Sequence, residues 1–160
     1  MKKSCLAFVF ISVLAMASCK KRESNCPYDP CLFKAPAAEV LQVENYLTNK
    51  NITTAIKHCS GMYYQIENPG TGAHPTVCSS ISIIYKGNLV NGNVFDQTNT
   101  PVSLNLFQLI EGWKNGLPLL KEGGKIFLFV PPSLGYGSSD YGAIPGNSVL
   151  IFEITLVDVR

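Results

Sequence analysis

The sequence is poor in the groups on which most enzymes and nucleic-acid-binding proteins rely. Charged residues make up 15% of its 160 residues, and the chain holds two histidines and one tryptophan. Its 13 Lys and Arg face 11 Asp and Glu; residues 1–18 carry Lys2 and Lys3, and without them the balance is eleven to eleven. Such a chain lacks the electrostatic footprint of nucleic-acid binding, which needs Lys and Arg gathered on one face. No Ser lies in a Gly-x-Ser-x-Gly elbow, and neither His58 nor His74 stands near a nucleophile and an orienting acid in the sequence. Gly70-Thr71-Gly72 leads into no Gly-Lys-Ser/Thr phosphate loop, and the carboxylates form no pair suited to glycoside hydrolysis. These absences disfavour a hydrolase or a transferase. With 46% hydrophobic residues the chain is too apolar for disorder, and its length suits one domain.

Long apolar runs are also missing, with one exception. After Lys2 and Lys3 comes the stretch Cys5–Ala17, the charged and apolar regions of a secretory signal and too short to span a bilayer comfortably. The signal ends in Met16-Ala17-Ser18-Cys19. This resembles the lipobox of bacterial lipoproteins, with Met16 where Leu is usual. The resemblance implies cleavage before Cys19 and diacylation of its sulfur, against the alternative of an ordinary signal cut after Ala17 or Ser18. Two acyl chains suffice for stable anchoring. The expected protein is exported and lipid-anchored to a bacterial membrane, periplasm-facing, without spanning it.

Beyond Cys5 and Cys19 four cysteines remain, and an even number in an exported chain permits two disulfides in three connectivities. The favoured pairs are Cys59–Cys78, each at the start of a strand pattern, and Cys26–Cys31, closing the Pro-bearing segment CPYDPC. Gaps of four, twenty-seven and eighteen residues give neither zinc-ligand spacing nor a thioredoxin-type Cys-x-x-Cys, so no metal is expected.

Along the rest of the chain, residues 19–36 read as a tether, with the basic triplet Lys20-Lys21-Arg22 and no periodicity. Residues 37–59 form an N-terminal helical segment: Val40, Val43 and Leu47 recur at helical spacing from Ala37 to about Asn49. Residues 60–160 form the main domain. Strand patterns cover Met62–Glu67, Ser80–Tyr85, Val94–Asp96, Pro101–Leu106, Lys125–Val130 and Ser148–Val159, with Asn91-Gly92 marking a hairpin. One helical pattern, Gln108–Leu120, lies among them, and residues 131–147 form a long connection rich in Gly, Ser and Pro. Long loops in compact domains are uncommon and usually functional. The expected class is α+β: a bent antiparallel β-sheet wrapped around one short central helix, with an extra N-terminal helix.

Four segments carry a sharper signal: YKGNLVNGNVFD (85–96), LIEGWKNGLPLLKEGGK (109–125), FVPPSLGYG (129–137) and IPGNSVLIFEITLVDV (144–159). In this order and spacing they resemble the FKBP-type peptidyl-prolyl cis–trans isomerases, over roughly residues 60–160. The resemblance implies a pocket walled by Tyr85, Phe95, Leu109, Ile110, Tyr136, Ile144 and Phe152, with Trp113 as the floor for a proline ring. It assigns catalysis to Tyr85, Asp96, the Ile110 N–H and the Tyr136 hydroxyl, and a flap to the loop from Gly135 to Ile144. It implies no cofactor. The partners it implies are proline-containing segments of folding envelope proteins, with macrolide inhibitors as further ligands.

Departures from the family pattern fall on the pocket wall and flap. Val102 and Leu104 stand where Phe is frequent, Phe107 replaces a small or polar residue, and Glu111 replaces a Pro. Gly146 replaces the second Pro of an Ile-Pro-Pro motif and is expected to loosen the flap exit. These changes bear on macrolide affinity and peptide preference. The rival function is a proline-binding chaperone or scaffold of an envelope machine, such as one for gliding motility, with little isomerase activity.

Overall fold

A computed structural model describes residues 26–160. The leader, the lipobox and Cys19 lie outside the described residues. Helix α1 spans Ala37–Asn49 and is followed by β1 (Ile56–Lys57), β2 (Tyr63–Asn68), β3 (Ser80–Leu89) and β4 (Val94–Asn105). Helix α2 (Glu111–Gly116), β5 (Lys125–Val130) and β6 (Leu150–Val159) complete the chain. All six strands join one antiparallel sheet in the order β1-β2-β5-β6-β3-β4. No helix among the described residues is long and apolar enough to cross a membrane.

The period-two alternation of the strands gives the sheet two apolar faces. Ile126 and Leu128 of β5 and Leu150, Phe152, Ile154 and Leu156 of β6 bury one face against Trp113 and Leu117. Phe127, Phe129 and Ile151 point to the other face, where α1 covers them with Val43 and Leu47. The helical stripe read from the sequence is thus the buried side of α1. Past its end, Asn51 takes φ +55°, a left-handed turn that asparagine tolerates better than most residues.

The central helix is shorter than its pattern. Only Glu111–Gly116 is α-helical, bracketed by 3₁₀ turns at Leu106–Gln108 and Leu117–Leu119. Pro118 supplies no N–H, and Gly112 and Gly116 are weak helix formers. Both glycines are nonetheless required by packing. A Cβ on Gly112 would lie 2.6 Å from Val130, and one on Gly116 would lie 2.5 Å from Leu128, so α2 rests directly on β5. The segments read as separate strands at Val94–Asp96 and Pro101–Leu106 are one long strand, β4. Its register against β3 shifts between Ile83 and Tyr85, and its edge position tolerates Pro101.

The disulfides pair differently from expectation. Cys26 is bonded to Cys78 and Cys31 to Cys59, with Cα separations of 5.9 and 5.4 Å. Neither expected bridge, Cys59–Cys78 or Cys26–Cys31, forms, because each of the four cysteines is taken by another partner. Cys59 precedes β2 and Cys78 precedes β3, two strands that run in opposite directions with β5 and β6 between them. Cys26 and Cys31 each reach to the domain instead of to one another. Residues 26–36, read as tether, are stapled across the domain, and the Ala35 N–H adds a bond to the Ser60 carbonyl at 2.8 Å.

Candidate functional site

A cavity of about 300 Å³ opens between α2, the β3–β4 hairpin and the long loop that follows β5. Its lining combines Tyr85, Phe95, Asp96, Leu104, Gln108, Leu109, Ile110, Trp113, Tyr136, Tyr141 and Phe152. Most residues singled out from the sequence therefore meet in one place.

The floor is an aromatic assembly. Trp113, 5% exposed, meets Tyr85 edge-on at 5.1 Å between ring centroids and Phe152 edge-on at 5.2 Å. Phe95 closes the set, perpendicular to Phe152 at 5.6 Å. Edge-to-face contacts satisfy the ring quadrupoles and lock each ring in place. Gly87 makes the arrangement possible: it pairs with Asp96 on one side and Phe152 on the other, and a Cβ there would lie 2.5 Å from the Phe95 ring. The indole N–H of Trp113 is buried and has no partner among the described residues.

Polar groups sit at the rim. The Tyr85 hydroxyl donates to Asp96 Oδ2 at 2.5 Å, anchoring the carboxylate at the mouth of the pocket. Burial raises the Tyr85 phenol above its ordinary value, with the Asp96 hydrogen bond and charge acting in the same direction. The Tyr136 phenol is raised mainly by burial, with Tyr141 and Asp96 adding to it. Both therefore stay protonated, as donors, at neutral pH. Ile110 caps α2 in an extended conformation (φ −59°, ψ 153°), and the N–H of an N-cap residue lies outside the helix's own bonds. Ile110 itself borders the cavity.

The loop differs from expectation at two positions. Ile144, expected in the pocket wall, is 5% exposed and packs into the core beneath the loop. Its backbone exchanges hydrogen bonds with Tyr141 in both directions, at 2.8 and 2.9 Å, and Tyr141 takes the place on the wall. Gly146 does not loosen the flap. Its N–H donates to Asp140 Oδ1 at 2.8 Å, and its Cα packs so closely that a Cβ would lie 2.1 Å from the Ser138 carbonyl oxygen. A proline could make neither contact. The Asn147 N–H bonded to the Gly137 carbonyl at 2.9 Å closes the same turn.

Two lining residues escaped the sequence reading. Tyr141 carried a usable signal, since an aromatic among Gly, Ser and Asp in a surface loop has no core of its own to enter. Gln108 carried none. Phe107, 61% exposed, lies outside the cavity and stands 5.9 Å from Lys114 Nζ. Among the described residues no three His, Cys, Asp or Glu side chains gather as a metal site would require.

A preformed apolar cleft with an aromatic floor and a few polar groups at its rim has the character of a binding site for a small apolar group. The family model of the FKBP-type peptidyl-prolyl cis-trans isomerases matches residues 72–157. The isomerase FkpA of Buchnera aphidicola (subspecies Acyrthosiphon pisum) is 43% identical over 123 residues, 74% of this chain and 51% of that protein. FkpA of Escherichia coli K12 is 38% identical over 73% of this chain and 43% of its own length. The crystal structure of FkpA from Escherichia coli superposes with a TM-score of 0.70 at 34% identity, covering 78% of this chain and 60% of that one. An isomerase from Pseudomonas syringae superposes at 0.68 with 28% identity, over 79% of this chain and 98% of its own. The chain belongs to the FKBP-type peptidyl-prolyl cis–trans isomerase family. It spans about half the length of the curated relatives it matches.

Proposed function

We propose that the protein is a peptidyl-prolyl cis–trans isomerase that accelerates slow X–Pro steps in the folding of exported envelope proteins. The aromatic floor at Trp113, enclosed by Tyr85, Phe95 and Phe152, carries this reading. Rotation about a peptide bond costs about 18–20 kcal/mol because amide resonance is lost at the twisted state. A planar amide is more dipolar than a twisted one, so transfer from water into an apolar cleft disfavours the ground state relative to the transition state. The proline ring rests on Trp113, flanked by Leu109. The Ile110 N–H and the Tyr136 hydroxyl hold peptide carbonyls on either side of the rotating bond, which removes part of the orientational cost. Asp96, held by Tyr85, sets the field at the rim. Ile144 acts from beneath, by supporting the loop.

Export and anchoring belong to the same proposal. Lys2 and Lys3, the apolar run and the Met16-Ala17-Ser18-Cys19 junction support a secreted chain held to a membrane through acyl groups on Cys19, with the domain in the periplasm. Macrolides would enter the same cleft, past Leu104.

Isomer exchange of a short X–Pro peptide, followed with residues 20–160, tests the activity. Uncatalysed exchange takes tens of seconds or more, so modest acceleration is visible. Acceleration that falls in Asp96→Val and Tyr136→Ala is the expected result. A folded, disulfide-intact protein without acceleration would overturn the isomerase and leave a proline-binding scaffold. Incorporation of labelled palmitate in wild type but not in Cys19→Ala tests the anchor.

A further inference from the structure

The pocket floor stands on a helix too short to hold itself. Helix α2 has six residues, well below the length at which a helix is stable alone, so its position depends on its neighbours. Its inner side is set by Gly112 and Gly116 against β5. Its outer side carries Glu111, Lys114 and Asn115, and these are met by Tyr28.

Tyr28 lies 83 residues from Glu111 in sequence, yet its hydroxyl stands 2.9 Å from Glu111 Oε2 and 2.6 Å from Asn115 Oδ1. One hydroxyl proton serves one acceptor at a time. Donation to the carboxylate, with the Asn115 amide turned so that its N–H donates to the same phenol oxygen, satisfies all three groups. Asn115 is only 3% exposed, so a partner for its amide is a requirement of burial. Lys114, paired with Glu111, also places its ammonium 5.7 Å from the Tyr28 ring. Burial raises the Tyr28 phenol, and the Glu111 carboxylate raises it further, so the donor is present at every physiological pH.

The arm that carries Tyr28 is fixed at both ends. Cys26 is bonded to Cys78 and Cys31 to Cys59, on opposite sides of the tyrosine. Pro27 and Pro30 restrict the backbone between them, and the Cys31 N–H is tied to Asp29 Oδ1 at 2.8 Å. A side chain held this way grips α2 at Glu111 and Asn115. Those residues bracket Trp113, and Glu111 follows Ile110, the two groups that the isomerase reading sets beneath the proline and against its carbonyl.

We propose that Tyr28 is a positioning residue for the isomerisation: the twice-stapled arm braces α2 from outside, so that Trp113 and the Ile110 N–H keep the geometry the twisted amide requires. This rests on the isomerase reading. Tyr28 touches neither the cavity nor the peptide, and acts through the helix.

The test compares wild type with Tyr28→Phe, both with disulfides intact and at a temperature where both are folded. Phenylalanine keeps the ring beside Lys114 and removes only the hydroxyl. The expected result is a fall of about threefold to tenfold in kcat/KM on an X–Pro peptide, carried mainly by kcat. Trp113 is the chain's one tryptophan, so its emission reports the floor directly, and it is expected to shift in the variant. Asn115→Leu, which removes the amide that donates to the phenol oxygen, is expected to lower kcat in the same direction. Unchanged kcat/KM and unchanged emission in Tyr28→Phe would overturn the brace. A wild type without activity would overturn the isomerase reading instead, and the emission comparison would still decide whether Tyr28 fixes the floor.

Discussion

Tyr141 lies face to face with Tyr136, with ring centroids 4.5 Å apart and planes 14° from parallel. Tyr141 is 61% exposed, yet its backbone is pinned by the paired bonds to Ile144. An exposed ring on a fixed backbone orients its neighbour, here the phenol proposed to hold a peptide carbonyl. Tyr141→Ala is expected to raise KM for an X–Pro peptide about threefold to tenfold, with Tyr141→Phe near wild type, because stacking is worth about 0.5–1.5 kcal/mol. Steady-state kinetics on the two variants checks this. Equal loss in both would assign the effect to the Tyr141 hydroxyl instead.

Gly146 offers a test in the opposite direction from the usual family residue. Restoring proline there removes the N–H donated to Asp140 and drives new atoms into the Ser138 carbonyl. Gly146→Pro is expected to destabilise the protein by about 1–3 kcal/mol, the combined scale of overpacking and a lost hydrogen bond. Chemical denaturation measures it. A variant as stable as wild type would mean that the loop can move away from Ser138 at little cost.

What the sequence disclosed, and what it did not, divides by the range of the interactions. The bounds of α1 and β5 followed from local periodicity, because Val43 and Leu47, or Ile126 and Leu128, report which way each element faces. The pocket residues Tyr85, Phe95, Asp96, Trp113 and Phe152 were legible through motif and spacing. Cysteine pairing was not, since it depends on where the arm at residues 26–31 runs over the domain, which no local pattern encodes. The placement of Tyr28 was hidden for the same reason: its partners Glu111 and Asn115 become neighbours only once the arm is stapled. At Ile144 the motif was legible but the direction of the side chain was not, because the two-way bond with Tyr141 turns it inward.

The disulfides close sequence separations of 28 and 52 residues. On the loop-entropy model each is worth about 3–4 kcal/mol. Replacing Cys31 and Cys59 together with Ala is expected to lower the denaturation midpoint by a corresponding amount and to open the arm to protease between residues 26 and 36. Limited proteolysis beside denaturant titration checks both. A midpoint unchanged by the double substitution would show that packing and hydrogen bonds alone hold the arm.

Stability against pH follows from two sets of partly buried groups. Tyr28 and Tyr85 have raised phenol values, and burial also raises Tyr136 and Tyr46. A group whose folded value is raised contributes fully below its unfolded value, about 10 for Tyr, and loses that contribution as pH climbs through the folded value. His58 runs the other way. Burial lowers its value, so its contribution is present above about 6.5 and is lost as pH falls below that. The denaturation midpoint is therefore expected to be level from about pH 7 to 9.5, to decline above about 10 with phenolate absorbance, and to decline on the acid side below about 6.5. His58→Gln removes the titrating ring and is expected to flatten the step just below pH 6.5 while leaving the alkaline limb in place. An acid limb identical in that variant would remove His58 from the account and assign the decline to carboxylates.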